Sequence, residues 1–253
     1  MKSKSKFIYT PAGAAGEYGN LAVNLFKGCT HSCVYCYAPR ATYKKRESFH
    51  NEVLPRAGII EGLKQEAPKY AGQEVFLCFS CDPYPEKDEE MLARKAIQIL
   101  HANDVSVRIL TKAGMRAARD FDLLSKRPEL SSFGVTLTFD NPFDSVSWEP
   151  NAALPDERIE SLRRAKALGI PTWASMEPVI YPEQTLNLIE ATKDFVDMYK
   201  IGKWNHDKRA KEINWPVFAR EAVALCEELG KEYYIKNDLA AFLGIDEASI
   251  FSR

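Results

Sequence analysis

Short runs of apolar and β-branched residues alternate along the chain with longer stretches in which apolar residues recur at helical spacing. The short runs have the length and composition of buried β-strands. They span residues 20–27, 74–80, 105–110, 132–139, 171–177 and 196–202. The helical patterns span residues 51–67, 88–101, 115–126, 156–168 and 183–194. This alternation predicts an α/β fold of parallel strands joined by right-handed crossovers.

Capping signals mark the ends of several predicted helices. Asp88 and Asp156 stand where N-terminal caps are expected. A further helix is predicted over residues 215–229, with Asn214 as its cap. A short strand-like run follows at residues 233–235. These two elements extend the chain beyond the six alternating units.

Six strand–helix units fit either a doubly wound sheet or an incomplete (β/α) barrel. In both architectures ligands bind at the carboxyl ends of the strands, so functional residues are expected just after each strand. No linker, low-complexity tract or internal repeat divides the chain, and one core domain is predicted at residues 19–253. Residues 1–18 contain glycines and lysines and are expected to form a loose N-terminal arm.

Composition narrows the range of functions. A chain of 253 residues can fold without a disulfide or a metal, so a metal site here would be functional rather than structural. The 34 Lys and Arg nearly balance the 35 Asp and Glu, which excludes a strong overall attraction to nucleic acid or anionic lipid. No apolar run approaches the ~20 residues of a membrane span, and no secretory signal is recognisable. We expect a cytoplasmic protein with no membrane partner.

Three of the six cysteines lie close together in the loop after the first predicted strand. Cys29, Cys33 and Cys36 form a C-x3-C-x2-C pattern. Three thiolates on so short a loop can hold three irons of a [4Fe–4S] cluster and leave the fourth iron without a protein ligand. An open coordination position is typical of a catalytic metal site. The spacing therefore favours a catalytic iron–sulfur cluster.

Two other interpretations of these cysteines stay open. A zinc ion would need a fourth ligand, and His31, Cys78 and Cys81 are the candidates. Alternatively, the thiols bind no metal and are simply buried in the core.

With the aromatic residue Tyr35 directly before the third cysteine, the pattern resembles the signature of the radical S-adenosylmethionine (SAM) superfamily. The longer segment GCTHSCVYCYA resembles the branch that contains spore photoproduct lyase. Further segments that resemble this branch follow the later predicted strands. They are Asp82–Tyr84, Thr111–Lys112, Trp148–Asn151, Glu157–Arg158, Glu177–Val179 and Ile201–Lys203. The resemblance covers roughly residues 20–240 and implies a partial (β/α)6 TIM-like barrel with a C-terminal helix and short strand.

The resemblance implies two cofactors. A [4Fe–4S] cluster would be held by Cys29, Cys33 and Cys36, and S-adenosylmethionine would chelate its open iron. An external carrier of the flavodoxin or ferredoxin type would supply one electron. Reductive cleavage of S-adenosylmethionine would then give a 5′-deoxyadenosyl radical that abstracts hydrogen from a substrate. In such enzymes the protein supplies position and the exclusion of water.

The resemblance also implies cofactor-binding side chains. Tyr35 is expected beside the cluster or the adenine. After the second strand the superfamily usually has a Gly-Gly-Glu-like segment for the methionyl amine, and here Ser80 and Asp82 offer acceptors at that place. Alternation along the fourth and fifth strands brings further polar residues to one face of each strand. These are Thr136, Thr138, Ser175 and Glu177.

Cys81 and Glu177 are the candidate catalytic residues. Glu177 ends a buried strand, where a carboxylate needs a partner. Spore photoproduct lyase returns a hydrogen atom to its product from a cysteine three residues before the aspartate of this loop, and Phe79 occupies that position here. Cys81 is therefore the candidate for a redox role, whereas Cys78 and Cys226 are expected in the core.

Basic residues, interleaved with Tyr43 and Trp204, follow the first, third and sixth strands. They are Arg40, Lys44, Lys45, Arg46, Lys112, Arg116, Lys203, Lys208, Arg209 and Lys211. Such a rim can bind phosphates and stack bases, so nucleic acid is a candidate substrate. The sequence thus predicts a radical SAM enzyme with an unidentified substrate. The alternative is an iron–sulfur or zinc binding module without turnover.

Overall fold

The structure is a computed structural model that describes residues 6–244 and the backbone of residues 251–252. The strands of this part of the chain are β1 (Ala22–Val23), β2 (Phe26–Lys27), β3 (Leu54–Pro55), β4 (Glu74–Leu77), β5 (Ser106–Thr111), β6 (Ser131–Thr136), β7 (Thr172–Val179), β8 (Met198–Lys203), β9 (Glu232–Ile235) and β10 (Phe251–Ser252). The α-helices are α1 (Ala38–Ala41), α2 (Arg46–Asn51), α3 (Ile59–Glu66), α4 (Leu92–His101), α5 (Phe121–Leu124), α6 (Pro142–Trp148), α7 (Pro155–Ala167), α8 (Pro182–Thr192), α9 (Trp215–Glu228) and α10 (Asn237–Ala240).

One eight-stranded sheet forms the centre of the fold, in the order β1-β4-β5-β6-β7-β8-β9-β10. The first seven of these strands are parallel, and β10 pairs antiparallel with β9. Among the described residues β1 and β10 do not pair with each other, so the sheet stays open. The predicted partial barrel is confirmed. Its C-terminal helix and short strand are α9 and β9.

The packing of the central strands follows from their sequences. Along β5 the side chains of Val107, Ile109 and Thr111 are buried, and those between them are partly exposed. β6 and β7 are buried over most of their length on both faces, as expected for central strands of a parallel sheet. Gly134 of β6 makes room for Trp173 of β7, because a Cβ at Gly134 would lie 2.2 Å from the indole ring.

The predicted strand at 20–27 is interrupted. β1 pairs with β4, whereas β2 pairs with β3 in a separate two-stranded sheet. Between β1 and β2, the Oδ1 atom of Asn24 accepts hydrogen bonds from the backbone N of Phe79 (2.8 Å) and of Ser80 (2.9 Å). An amide side chain therefore takes the place of strand pairing here and holds the loop that follows β4.

Two predicted helices are divided. The pattern at 51–67 corresponds to the end of α2, the short strand β3 and then α3. The pattern at 115–126 consists largely of a 3-10 helix, Gly114–Asp120, followed by α5. No helix among the described residues combines the length and apolar character needed to cross a bilayer.

Helix caps differ from two of the three predictions. Leu154, rather than Asp156, occupies the N-cap position of α7 and makes no side-chain capping bond, because Pro155 starts the helix earlier. Met91 occupies the cap position of α4, although Asp88 Oδ1 accepts a hydrogen bond from the first backbone N–H of the helix at 3.1 Å. Asn214 caps α9 as predicted, and its side chain accepts a hydrogen bond from Val217 N.

Residues 6–18 pack against the core, so the expectation of a loose arm is wrong for them. Ile8 is fully buried, and its backbone N donates to Glu66 Oε2 at 2.8 Å. Tyr9 forms an isolated bridge with Ala22 of β1. Tyr18 ends the segment with only 7% of its surface exposed. Burial of its apolar and aromatic residues outweighs the freedom of its glycines.

Candidate active site

A cavity of about 420 Å³ lies at the carboxyl ends of the parallel strands, where folds of this type bind ligands. It is lined by all but one of the residues that the sequence predicts for the site. They are Cys29, Cys33, Tyr35, Cys36, Ser80, Cys81, Asp82, Thr136, Ser175 and Glu177. A larger groove of about 770 Å³, between α3 and α4, contains none of these residues.

The cysteine loop begins at Gly28, directly after β2. Gly28 has φ of +94°, and a Cβ on it would lie 2.5 Å from the carbonyl oxygen of Phe49, so conformation and space both require glycine. Cys29 N donates to the same carbonyl at 3.2 Å. Cys36 N donates to Cys33 O at 3.0 Å. These bonds fold the loop so that all three cysteines line one cavity.

Burial raises the pKa of the three thiols. The pKa of Cys33 rises to about 12, and burial also raises the pKa of Cys29 and Cys36. The Lys112 ammonium partly opposes this rise in the pKa of Cys33 and Cys36. Additional positive charge is therefore needed to form the thiolates at neutral pH. A bound metal supplies such charge, because coordinated thiols are deprotonated.

The arrangement of the cysteines fits a cluster better than a single ion. Among the residues that the structure describes, no three His, Cys, Asp or Glu side chains come close enough together to hold one metal ion. In a [4Fe–4S] cluster each cysteine ligates a different iron, so the sulfurs stay farther apart than in a mononuclear site. Cys29, Cys33 and Cys36 are free thiols that line one cavity, as the three protein ligands of such a cluster would.

Asp82 ties the cysteine loop to the ends of β4 and β5. Its Oδ2 lies 3.0 Å from His31 Nε2 and accepts a hydrogen bond from Lys112 N at 2.9 Å. Its Oδ1 accepts hydrogen bonds from Tyr84 N and Thr111 Oγ1, both at 2.8 Å. Burial alone would raise the pKa of Asp82, but His31 and these hydrogen bonds hold it below the usual range. Each oxygen of the Asp82 carboxylate thus faces at least two protein donors, which disfavours Asp82 as the acceptor for a methionyl amine.

A buried ion pair supports the aromatic residue of the cysteine motif. The side chains of Glu149 and Arg158 are at most 1% exposed and are hydrogen-bonded to each other. Tyr35 donates its hydroxyl proton to the second oxygen of Glu149, and Lys112 Nζ lies 3.9 Å from that oxygen. Burial alone would raise the pKa of Glu149, but the charges of Arg158 and Lys112 lower it overall. The Tyr35 ring is therefore fixed in the cavity wall.

A second polar cluster surrounds Glu177. Its two oxygens accept hydrogen bonds from Lys236 Nζ at 2.9 and 2.8 Å, and Oε2 also accepts one from Tyr18 OH at 2.6 Å. Ser175 Oγ lies 2.8 Å from the same phenol oxygen. Burial and the nearby Glu177 carboxylate raise the pKa of Tyr18, so the phenol stays protonated and donates. The partner expected for Glu177 is thus Lys236, directly after β9.

Thr138 does not reach the cavity, contrary to the prediction from strand alternation. Thr136 ends β6 and lines the cavity, whereas Thr138 lies beyond the strand and its Oγ1 is 3.4 Å from Tyr35 OH. Alternate side chains share a face only while the backbone stays extended. Since β6 ends at Thr136, the alternation does not extend to Thr138.

The sequence pattern of the radical SAM superfamily matches residues 23–196, well over half of the chain. The chain belongs to the radical SAM superfamily. The family assignment made from the cysteine motif and its neighbouring tyrosine is therefore confirmed.

A relative and two solved structures are similar to most of this chain. An uncharacterised protein of the Acidianus two-tailed virus is 26% identical in an alignment of 193 residues that covers 71% of this chain and 63% of the relative. Spore photoproduct lyase with bound AdoMet and dinucleoside spore photoproduct has a TM-score of 0.59 at 17% identity, over 77% of this chain and 59% of that one. SuiB of Streptococcus suis, bound to S-adenosylmethionine, has a TM-score of 0.62 at 11% identity, over 85% of this chain and 45% of that one. The two structures show that the fold is shared, and the chain spans less than two thirds of each of these three proteins.

Two cysteines outside the radical SAM motif also lie in the cavity wall. Cys78 and Cys81 are both buried, and both line the cavity. Cys78 thus belongs to the wall as well as to the predicted core. Cys226 is fully buried in α9, which confirms its packing role.

The sequence assigned no role in this cavity to Lys236 or Tyr18, and it identified His31 only as a candidate zinc ligand. Lys236 directly follows a parallel strand, and the rule that selected Glu177 would have found it. His31 lies inside the cysteine motif, but its partner Asp82 comes from another strand. No local pattern marks Tyr18, whose partners Ser175 and Glu177 are more than 150 positions away.

Proposed function

We propose that this radical SAM protein is an enzyme that holds a [4Fe–4S] cluster through Cys29, Cys33 and Cys36 and abstracts hydrogen from a substrate after reductive cleavage of S-adenosylmethionine. The bound cluster would supply the electron for that cleavage. One observation carries the proposal: the three cysteines share one cavity with the polar residues at the strand ends. Superfamily membership favours an enzyme over a binding module without turnover.

We assign the polar residues of the cavity to two tasks. Lys112, whose side chain is 16% exposed, offers an ammonium for the carboxylate of S-adenosylmethionine. Ser80 and Thr136 offer neutral hydrogen-bonding groups at the ends of β4 and β6. The engaged carboxylate of Asp82 instead holds the cysteine loop in place, through His31.

Glu177 remains the candidate for orienting a hydroxyl-bearing group in the cavity. Its carboxylate is held by Lys236 and Tyr18, so its position is fixed before any ligand binds. Among the described residues, Oε1 of Glu177 accepts one hydrogen bond, from Lys236, so this oxygen can accept another from a hydroxyl such as those of a ribose. Cys81, in the same wall, is the candidate thiol for a redox step.

Exclusion of water from the cavity is a task of the N-terminal segment. Ala12, Ala14, Ala15 and Tyr18 form part of the cavity wall, and Trp204, 4% exposed, forms another part. Reactive intermediates need such protection from side reactions with solvent.

Nucleic acid remains the candidate substrate. Lys203 and Trp204 line the cavity, and Arg209 lies over the rings of Trp148 and Trp204 at 4.7 and 4.9 Å. Such cation–aromatic groups can contact phosphates and bases. A structural neighbour, spore photoproduct lyase, is solved with a dinucleoside photoproduct. The six free cysteines suit a reducing cytoplasm, with an electron carrier of the flavodoxin or ferredoxin type as partner.

The proposal is tested by cluster assembly and cofactor binding. The protein is reconstituted anaerobically with iron and sulfide, and iron, sulfide and the EPR signal of the reduced cluster are measured before and after addition of S-adenosylmethionine. We expect about four irons per chain and a changed EPR spectrum upon addition. Cys29→Ala, Cys33→Ala and Cys36→Ala should each abolish the full cluster, and Cys226→Ala is the matched control. A full cluster in any of the three motif variants would refute the assignment.

A further inference from the structure

Positive charge is concentrated in the segment that carries the cysteine loop. Residues 27–56 contain six Lys and Arg against two Glu, which leaves 28 Lys and Arg against 33 Asp and Glu in the rest of the chain. A nearly neutral protein is thus divided into a basic segment and an acidic remainder. Such asymmetry steers a charged partner to one part of the surface.

Five of these six cations are exposed, and we call them together the basic face: Lys27, Arg40, Lys44, Lys45 and Arg46. Within the described part of the chain, no carboxylate lies within 4.0 Å of any of their charged nitrogens. A groove of about 280 Å³ brings two of them, Lys27 and Lys44, together with Lys6 and Arg56, and no Asp or Glu lines it. The glutamates of the segment, Glu47 and Glu52, lie outside the groove lining.

The basic face adjoins the outer side of the cysteine loop. The guanidinium of Arg46 donates to the carbonyl oxygens of Ser32 (3.3 Å) and Cys33. Along the loop, Cys29, His31, Cys33 and Tyr35 line the cavity, whereas Thr30, Ser32 and Val34 do not. Val34 is 49% exposed between two residues of the cavity wall. The loop therefore has one side toward the cavity and the other toward solvent beside the basic face.

Apolar side chains accompany the charges. Tyr43, within the basic segment, is 97% exposed. Trp148, the last residue of α6, accepts a hydrogen bond from Val34 N at 2.7 Å, and the same helix exposes Phe143 (84%) and Val146 (52%). Exposed apolar groups beside a charged rim are typical of protein–protein interfaces.

We propose that the basic face and Val34 form the docking surface for an acidic one-electron carrier protein. This inference rests on the proposed function, since only a cluster-bearing protein needs the electron. One electron leaves the reduced carrier and enters the cluster through the outer side of the cysteine loop, and no bond is made or broken. Negative charge on the carrier complements the five unpaired cations.

A protein carrier fits this face better than a nucleic acid substrate. A substrate must enter the cavity to react, and none of the five cations of the basic face lines the cavity. An electron carrier needs only to approach the cluster from outside, and this is the side on which Val34 is exposed.

The test compares two reductants and two variants. The anaerobically reconstituted protein is mixed with a reduced flavodoxin or with dithionite, and the bleaching of the cluster absorbance is followed by stopped flow at low and high ionic strength. Lys44→Glu/Lys45→Glu reverses two charges of the basic face. Lys69→Glu/Lys126→Glu is the matched control, because it changes the net charge equally at exposed lysines outside the basic face and the cavity. Dithionite is a small reductant that needs no docking surface.

We expect Lys44→Glu/Lys45→Glu to slow reduction by flavodoxin about tenfold at low ionic strength and to flatten its salt dependence. Reduction by dithionite, and both rates of the control variant, should change less than about threefold. The proposed docking surface would be refuted if cluster reduction slows equally in both variants, slows equally with both reductants, or does not slow. Weaker binding of a fluorescent single-stranded oligonucleotide with an unchanged flavodoxin rate would also overturn it and assign the face to nucleic acid. If the wild-type protein assembles no cluster, the proposed function itself fails.

Discussion

The buried pair of Glu149 and Arg158 allows a quantitative prediction. Arg158→Met removes a guanidinium that donates to Glu149, to Ala153 O at 2.7 Å and to Thr136 O at 3.0 Å. Glu149, whose side chain is fully buried, would keep only the Tyr35 hydroxyl and the Lys112 ammonium at 3.9 Å. Breaking a buried pair from one side typically costs 3–5 kcal/mol. We expect a loss of about 4 kcal/mol in the free energy of unfolding, or roughly 8–16 °C in Tm.

The measurement is urea denaturation of the cluster-free protein, compared with the double variant Glu149→Gln/Arg158→Met. The double variant removes the unpaired charge, so it should recover about 2 kcal/mol of the loss. Acid provides a second control. In the wild type the pKa of Glu149 is lowered, so its contribution to stability is present above the ordinary value near 4.5 and is lost as the pH falls toward the folded value. The difference in free energy of unfolding between the wild type and Arg158→Met should therefore become smaller below about pH 5.

Two results would refute this reasoning. A loss below about 1 kcal/mol in Arg158→Met would mean that Glu149 is solvated or protonated without its partner. Equal losses in the single and double variants would mean that the loss comes from packing of the arginine stem rather than from the unpaired carboxylate.

Three further substitutions test other parts of the account. Gly28→Ala forces a left-handed backbone onto a residue whose Cβ would lie 2.5 Å from a carbonyl oxygen; we expect a loss of about 1–3 kcal/mol by urea denaturation and lower iron content after reconstitution. Asp82→Ala leaves the donors at the end of β5 and in the cysteine loop without their acceptor. The iron content after reconstitution should fall by about half or more, and an unchanged iron content would show that Asp82 does not hold the loop. Lys200 is 3% exposed, and burial lowers its pKa to about 7, so the unfolded chain binds more protons from about pH 7 to 10.5 and stability rises with pH over that window. Lys200→Met should make the increase in the free energy of unfolding between pH 7 and 10 smaller by about 2–4 kcal/mol. If the free energy of unfolding of both proteins changes equally with pH, the lowered pKa of Lys200 is contradicted.

Local patterns in the sequence predicted the parts of the site that depend on neighbouring residues. Cys29, Cys33 and Cys36 are close together because they are close in sequence, and all three line the cavity. Ser175 and Glu177 were predictable for a similar reason, because polar residues at the ends of parallel strands meet at one edge of the sheet. The strand pattern itself followed from runs of apolar residues long enough to span a buried sheet.

Long-range contacts explain what the sequence did not predict. Tyr18 reaches Glu177 only because residues 6–18 pack on the sheet, and glycines and lysines gave no sign of that packing. The side chain of Asp82 could accept a hydrogen bond from a ligand, but three protein donors and His31 surround it in the folded state. Thr138 was misplaced because alternation was continued past the end of β6.

The central claim, radical cleavage of S-adenosylmethionine at this cavity, is tested most directly by product analysis. The anaerobically reconstituted protein is reduced with dithionite and incubated with S-adenosylmethionine, and 5′-deoxyadenosine is quantified by mass spectrometry, with Cys33→Ala as the inactive control and Cys226→Ala as the active one. We predict 5′-deoxyadenosine from the wild type and from Cys226→Ala, and none above background from Cys33→Ala. A wild-type protein that carries a full, reduced cluster but neither binds S-adenosylmethionine nor forms 5′-deoxyadenosine would contradict the account.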